Sequence, residues 1–254
     1  MTTPAPILEI RDLTFGFGGN LVTDHVSLSV AQGEFLSIIG PNGAGKTTFF
    51  NVVSGVYKPS GGTITYRGHD ITETNAAQRA RAGMARSFQL TNVFPTLSVL
   101  ENARLAAQAQ GPRQYGLLRP FTAYRRYLDR AQSALELVGL GTRLNGPAGA
   151  LSHGDKRKLE LAMVIAADPE ILLLDEPTSG VSAEDVPAMV ALIRKIRRVE
   201  GKTVLMVEHK MSVVLDLSDR IAVLHGGKLL AIDTPEKIQG NETVQAAYLG
   251  QDSV

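Results

Sequence analysis

The sequence contains no cysteine in its 254 residues. This absence excludes disulfide bonds, a thiol nucleophile and cysteine-ligated metal sites, and it suits a reducing compartment. No apolar stretch approaches the roughly 18 residues that a membrane-spanning helix needs. Met1–Pro6 also lacks the basic start and apolar core of a signal peptide. We therefore expect a cytoplasmic protein that reaches a membrane, if at all, by docking onto another protein.

The chain has almost no excess charge. Its formal net charge of +1 gives no support to nucleic acid as the main partner. A hydrophobic content of 44% and a charged content of 20% are typical of a soluble globular protein. The length allows one large domain or two small ones.

One segment is unevenly charged. Between Arg79 and Arg130 there are nine arginines, no lysine and only two acids, Glu101 and Asp129. Two interpretations remain open at this point. The arginines would either face an anionic membrane surface or acidic loops of a partner, or form an ordinary solvated helical surface.

The residues Gly40–Thr48 match the phosphate-loop pattern G-x-x-x-x-G-K-[ST]. The apolar run Phe35–Ile39 precedes them and a helix-capable segment follows, which predicts a strand, a glycine-rich turn and a helix start. Glycines let backbone amides surround phosphate oxygens, and the helix directs its positive end at them. We expect Lys46 to reach the β- and γ-phosphates and the Thr47 hydroxyl to bind Mg²⁺. The predicted nucleotide contacts of this loop are Gly40, Pro41, Asn42, Gly43, Ala44, Gly45, Lys46, Thr47 and Thr48.

The segments on either side of this loop have mostly strand patterns, and a long helical region follows them. Ile7–Leu13, Val26–Val30 and Gly61–Gly68 have the patterns of short strands, so the opening region is mostly β. From about Thr72 to Ala166 the pattern becomes helical, with a capping-box start at Ser98. We interpret this part as a helical subdomain inserted into an α/β body.

Three continuous apolar runs in the last third predict strands that are covered on both faces. Helical stretches separate them, which favours a mostly parallel sheet. The predicted strands are Ile171–Leu174, Val204–Val207 and Ile221–Leu224, and the predicted helices between them are Val186–Val199 and Met211–Leu217.

The first of these strands runs directly into Asp175 and Glu176. Ligands of parallel sheets gather at the C-terminal ends of the strands, where the phosphate loop also lies. Asp175 is therefore a candidate to hold Mg²⁺ through its water shell. Glu176 is a candidate general base that polarises the attacking water. Together with the phosphate loop, the acidic pair predicts a P-loop ATPase or GTPase.

The stretch Leu151–Asp155 stands directly before a helical run and reads L-S-H-G-D. Ser152 and Asp155 have capping-box spacing, and a helix start with a free hydroxyl is a second anion site. At these residues the chain resembles the ATP-binding subunits of ABC transporters, whose signature reads L-S-G-G-Q. The resemblance implies that Ser152 and Gly154 contact phosphates held by the Gly40–Thr48 loop of another subunit.

Other residues fall where this family keeps functional groups. The resemblance assigns Gln89 to sensing Mg²⁺ and the attacking water, and His209 to contact with the γ-phosphate. Phe17 falls where the family stacks an aromatic ring on adenine, with Phe15 as a neighbour that could substitute. Ser179–Ser182 replaces a loop that usually reads S-A-L-D, so its usual aspartate is absent.

The resemblance runs from Ile7 to Gly250 and implies a single ABC ATPase domain, an α/β P-loop NTPase with a mostly parallel core sheet. Residues 7–88 and 167–250 would form a RecA-like core with an N-terminal antiparallel β subdomain, and about 89–166 an inserted helical subdomain. The implied ligands are ATP and Mg²⁺. The implied assembly is a homodimer, or a heterodimer with a paralogue, on the cytoplasmic face of the plasma membrane.

Several stretches resemble the subfamily that takes up branched-chain amino acids, namely Ala85–Gln89, Phe94–Asn102, Leu151–Asp155 and Ala247–Gly250. The implied partners are integral membrane permease subunits and, indirectly, an extracytoplasmic solute-binding protein, with no nucleic acid. Import of urea or amides, export of lipid or lipopolysaccharide, and a soluble ABC ATPase without a transport role stay open as alternatives.

Overall fold

The structure, a computed structural model, describes residues 5–87, 93–109 and 125–249. The strands are β1 (Leu8–Phe17), β2 (Asn20–Val30), β3 (Phe35–Ile39), β4 (Gly61–Tyr66), β5 (His69–Asp70), β6 (Met84–Arg86), β7 (Ile171–Asp175), β8 (Thr203–Val207), β9 (Arg220–His225) and β10 (Lys228–Asp233). The helices are α1 (Lys46–Val53), α2 (Ala76–Arg81), α3 (Val99–Ala109), α4 (Arg125–Leu137), α5 (His153–Ala166), α6 (Val186–Glu200), α7 (Met211–Leu217), α8 (Pro235–Gln239) and α9 (Glu242–Leu249). Within these ranges, no helix has the length and apolar character required to cross a bilayer.

The strands form two sheets. A four-stranded antiparallel sheet has the order β2-β1-β4-β5, and a six-stranded sheet has the order β10-β9-β3-β8-β7-β6. The larger sheet is parallel except at its edge, where β10 pairs antiparallel with β9. This confirms the predicted α/β fold with a mostly parallel core sheet and an N-terminal antiparallel β part.

The core strands are buried on both faces, as their continuous apolar sequences predict. All five residues of β7 are buried. Leu172 and Leu174 pack into one hydrophobic core with helices α3 to α6, whereas Ile171 and Leu173 pack into a second core with α1 and the smaller sheet. Each fully buried side chain of this size contributes about 1.5–3 kcal/mol. Burial on both faces fixes the position of the loops that follow the strands.

The helical pattern predicted from about Thr72 to Ala166 is wrong at Met84–Arg86, which forms strand β6 at the edge of the larger sheet and pairs parallel with β7. Three residues are too few to show a strand periodicity, so only the long-range pairing reveals this strand. Helices α3, α4 and α5 do pack against one another. The domain division at residues 89–166 stays a prediction.

Some predicted bounds also shift. The hairpin between β1 and β2 needs only Gly18 and Gly19, both with positive φ, so the strands are longer than predicted. Helix α5 begins at His153, inside the Leu151–Asp155 stretch that was expected to precede it, because Ser152 caps the helix.

The arginine-rich segment is not the uniform surface that either interpretation expects. Arg79, Arg86 and Arg104 are buried to about nine-tenths or more, and each forms hydrogen bonds inside the protein. Arg113 and Arg119 lie outside the described residues. At least these three arginines therefore serve internal structure.

Arg79 shows how such a cation is satisfied without a carboxylate. It is 1% exposed, and its guanidinium donates to the carbonyls of Val52 and Val53 at 2.7 Å and of Ile71 and Thr72 at 2.8 and 3.1 Å. Burial lowers the pKa of Arg79 to about 10, so the group stays charged at neutral pH. Because Val52 and Val53 end α1, the cation caps the helix that follows the phosphate loop.

We expect Arg79→Met to lower the free energy of unfolding by about 3 kcal/mol, because it leaves buried carbonyls without a donor. Arg81→Met, at an exposed position of the same helix, is the matched control and should stay within about 0.5 kcal/mol of the parent. Urea-induced unfolding of the ligand-free protein measures both. Equal stability of the two variants would contradict a capping role for Arg79.

Candidate functional site

Three predicted motifs lie at the C-terminal ends of the parallel strands in the larger sheet. The Gly40–Thr48 loop follows β3, Asp175 ends β7, and His209 follows β8. Strand β8 lies between β3 and β7, and all three strands run parallel. Their C-terminal ends therefore bring the phosphate loop, the acidic pair and the histidine together.

The loop can only be built with glycine at two positions. Gly45 has a φ of 92°, and a Cβ atom there would lie 2.4 Å from the Val22 carbonyl oxygen. A Cβ atom at Gly40 would lie 2.1 Å from the Leu224 carbonyl oxygen. Gly45 is also the N-cap of α1 and provides no side-chain acceptor. The first-turn amides of α1 are thus left without a side-chain cap, which suits a bound anion.

Lys46 is a buried cation within the loop. It is 5% exposed, and its Nζ donates to the carbonyl oxygens of Gly40 and Pro41 at 2.7 and 2.8 Å. Burial lowers the pKa of Lys46, and the negative charge of Glu176 opposes this shift. Lys46 has no ion-pair partner within 4.0 Å in the described part of the chain. The ammonium group therefore donates to carbonyl oxygens and not to a carboxylate. Phosphate oxygens of a ligand would be stronger acceptors for the same group.

The remaining loop residues differ in exposure. Asn42, Gly43 and Thr47 are exposed, Thr48 is partly buried, and Ala44 is buried. The Thr47 side chain is therefore accessible to a ligand at the loop.

Asp175 is 1% exposed and engages only one of its carboxylate oxygens. Oδ2 accepts from Arg86 Nη2 at 2.5 Å, whereas Oδ1 is buried and has no hydrogen-bond partner among the described residues. Burial raises the pKa of Asp175, and the Arg86 guanidinium opposes this shift. A buried carboxylate oxygen without a partner fits a divalent cation or a water bound to one.

The described residues contain no group of three or more histidine, cysteine or acidic side chains that could hold a metal alone. A cation at Asp175 would therefore need further oxygen ligands, such as the Thr47 hydroxyl, phosphate oxygens and water. This donor set is typical of Mg²⁺ sites that form with a nucleotide.

Glu176 and His209 form a direct pair. His209 Nε2 and Glu176 Oε1 are 3.0 Å apart, and the two side chains are 43% and 20% exposed. Glu176 has a φ of 47°, which is uncommon for a residue with a side chain and is typical of functional sites. Its backbone N–H donates to Val207 O, and its carbonyl accepts from Arg157 Nη2, both at 2.9 Å.

Glu208 supports this pair and was not identified from the sequence. Its buried carboxylate accepts a hydrogen bond from the Thr178 hydroxyl and another, at 2.9 Å, from the backbone N–H of His209. The sequence signal available was an acid between an apolar strand and His209. Arg86 and Arg157 were also missed, because their contacts with Asp175 and Glu176 span 89 and 19 residues of the sequence.

The signature stretch caps α5. Ser152 is the N-cap, and its hydroxyl accepts from the Asp155 backbone N–H at 3.2 Å. The Asp155 carboxylate pairs with Arg143 at 2.8 Å and Lys158 at 3.1 Å. Open space surrounds the Cα of Gly154 where a side chain would begin. The role of Ser152 and Gly154 toward another subunit stays a prediction.

Two departures from the family pattern are neighbours in space. Gly180 stands where the usual loop has alanine, and His153 stands where the usual signature has glycine. Gly180 has a φ of 71°, and a Cβ atom there would lie 2.8 Å from His153 Cε1. The histidine ring thus occupies the space that an alanine methyl group would need.

Phe17 is the exposed member of an aromatic cluster. It is 53% exposed, and its ring lies edge-on to Phe15 and Tyr57, with centroids 5.0 and 5.6 Å away. Phe15 is only 9% exposed and stacks on Tyr57 at 5.1 Å. Phe15 therefore cannot present a free face to a base, which leaves Phe17 as the adenine-stacking candidate. Gln89 lies outside the described residues.

Comparison with protein families gives two matches. A family model described as "ABC transporter" matches residues 23–179, and one described as "Branched-chain amino acid ATP-binding cassette transporter" matches residues 228–254.

Curated relatives match almost the entire chain. The high-affinity branched-chain amino acid transport ATP-binding protein LivG of Salmonella typhimurium is 42% identical over 97% of this chain and 98% of its own. The BraF protein of the same description from Pseudomonas aeruginosa is 40% identical over the same shares.

Solved structures agree with the fold. A nucleotide-free ATP-binding cassette from an ABC transporter superposes with a TM-score of 0.83 at 26% identity, covering 97% of this chain and 100% of the other. The ADP conformation of an ATP-binding cassette superposes with a TM-score of 0.81 at 27% identity, with the same coverage.

Two glycines of the phosphate loop allow a matched test of its geometry. We expect Gly45→Ala to cost about 3 kcal/mol of unfolding free energy, because it combines backbone strain with a clash against the Val22 carbonyl. Gly43→Ala has a similar positive φ, 78°, but among the described residues only its chain neighbours come within 4 Å of the new methyl group, so it should cost about 1 kcal/mol. Urea unfolding without nucleotide compares them. A Gly45→Ala variant as stable as Gly43→Ala would contradict this prediction, because the new methyl group would then fit beside the Val22 carbonyl without cost.

Proposed function

The chain belongs to the ABC transporter family, and we propose that it is the ATP-hydrolysing subunit of an importer for branched-chain amino acids. The observation that carries the ATPase assignment is the Glu176–His209 pair at the same sheet edge as the phosphate loop. The full-length similarity to relatives described as branched-chain amino acid transport proteins supports the substrate class.

The loop residues bind the nucleotide by complementary charge. The amides at the start of α1 donate to phosphate oxygens, and Lys46 moves its Nζ from the Gly40 and Pro41 carbonyls onto the β- and γ-phosphates. Phe17 offers the face of its exposed ring to adenine.

The acidic pair and the histidine carry out hydrolysis. Glu176 accepts a proton from the water that attacks the γ-phosphate, and His209, which lies against Glu176, contacts the γ-phosphate. Mg²⁺, when bound, neutralises phosphate charge. Thr47, Asp175 and Gln89 are the residues that would hold it.

Two copies, or one copy and a paralogue, would form the working unit. Ser152 and Gly154 of each subunit complete the phosphate site of the other, so nucleotide binding closes the dimer and hydrolysis reopens it. The dimer works on the cytoplasmic face of the plasma membrane, docked to permease subunits that receive solute from an extracytoplasmic binding protein.

Two substitutions separate binding from chemistry. Lys46→Ala should weaken ATP binding about 10- to 100-fold, because it removes a charge-assisted contact to phosphate. Glu176→Gln should keep ATP affinity but lower kcat about 100- to 10,000-fold, because it removes the general base. Fluorescent-nucleotide titration and phosphate release measure the two quantities, with the exposed Lys58→Ala as control. Normal turnover by Glu176→Gln would contradict the general-base role.

The transported solute is testable once the membrane subunits are co-purified and reconstituted. We expect labelled leucine uptake to depend on ATP and to be lost with Lys46→Ala, while labelled urea is not taken up. Uptake of urea but not of leucine would overturn the proposed substrate class and favour the amide importers.

A further inference from the structure

The guanidinium of Arg86 lies against the acid that we assign to the metal. Arg86 Nη2 donates to Asp175 Oδ2 at 2.5 Å, and Nη1 donates to Asn51 Oδ1 and Ser54 Oγ at 2.6 and 2.8 Å. The guanidinium carbon also lies 5.2 Å from the centroid of the Phe50 ring. One side chain thus joins the end of β7 to helix α1, which follows the phosphate loop.

Backbone pairing fixes this contact. Strand β6 runs parallel to β7 with Arg86 opposite Leu173, and the Ser87 N–H donates to Leu173 O at 2.8 Å. The Asp175 N–H in turn donates to Ser87 Oγ at 3.2 Å. Arg86 and Asp175 therefore face each other because of strand register, and both are buried, at 10% and 1% exposure.

We propose that Arg86 is a positioning residue that holds Asp175 Oδ2 and thereby keeps Oδ1 available for the divalent cation that accompanies ATP. This inference rests on the metal role proposed for Asp175. It assigns to Arg86 a part in the ATPase site that neither the phosphate-loop motif nor the acidic pair contains.

The physical reason lies in the two oxygens of one carboxylate. A buried carboxylate next to polar groups would turn to satisfy both oxygens unless one of them is firmly held. The buried Arg86 charge holds Oδ2 and is itself fixed by Asn51, Ser54 and the Phe50 ring. Oδ1 then stays buried without a partner in the described part of the protein. A divalent cation supplies the missing partner.

A purely structural ion pair between Arg86 and Asp175 would give the same distances. The test must therefore measure how the variant changes the effect of Mg²⁺ on nucleotide binding. We would measure the affinity for a fluorescent ATP analogue with Mg²⁺ and with EDTA, and take the ratio as the Mg²⁺-dependent gain. Arg86→Met should lose about tenfold or more of this gain and change the affinity in EDTA by less than about twofold. Arg86→Lys keeps the positive charge but lacks the several N–H donors of the guanidinium. Its Mg²⁺-dependent gain should lie between those of Arg86→Met and the parent protein. Arg81→Met is the exposed control.

A second background separates positioning from stability. In Asp175→Asn, which has no carboxylate to hold, adding Arg86→Met should cause no further loss of the Mg²⁺-dependent gain. Thermal unfolding of each ligand-free variant identifies variants that do not fold. If Arg86→Met does not fold, Arg86→Lys is used for the test. Its Mg²⁺-dependent gain should be several-fold smaller than that of the parent protein.

The outcomes separate this inference from the proposed function. A folded Arg86→Met or Arg86→Lys variant with the gain of the parent protein would overturn the positioning role and leave the proposed function intact. A parent protein whose ATP affinity does not respond to Mg²⁺ would overturn both the metal role of Asp175 and this inference.

Discussion

The parallel pairing of β3, β8 and β7 is the constraint on which the rest of the site depends. It places the ends of three strands side by side, so that a loop at residue 40, an acid at residue 175 and a histidine at residue 209 meet. Burial of these strands on both faces makes the register rigid. The site is thus held by the core and not by the loops themselves.

At these strand ends, each buried charged side chain has hydrogen-bond partners within the site. Lys46 is held by loop carbonyls, Asp175 by Arg86, and Glu208 by a hydroxyl and a backbone amide. Two of these arrangements leave a deficit among the described residues, because Lys46 has no ion-pair partner and Asp175 Oδ1 has no hydrogen-bond partner there. A nucleotide with its cation has the charges that fill these deficits, since phosphates match the lysine and a cation matches the carboxylate. We infer that nucleotide binding completes the site electrostatically and does not merely fill a cleft.

Much of this could be predicted from the sequence, because the phosphate loop, the acidic pair and the apolar strands are local patterns. Strand β6 could not, since Met84–Arg86 is too short to show a period and depends on pairing with β7. Arg86 contacts Asp175, 89 residues away, and Arg157 contacts Glu176, 19 residues away on another element, so sequence spacing did not reveal these contacts. The contact of His153 with Gly180 likewise appears only in three dimensions.

The central claim is that this sheet edge binds ATP with a divalent cation at Asp175. The most direct measurement is a crystal structure with a non-hydrolysable ATP analogue and Mn²⁺, in which anomalous scattering locates the cation. The account predicts one Mn²⁺ that contacts the Thr47 hydroxyl and a phosphate oxygen and lies next to Asp175 Oδ1, directly or through one water. A cation remote from Asp175, or a nucleotide bound away from Gly40–Thr48, would contradict it.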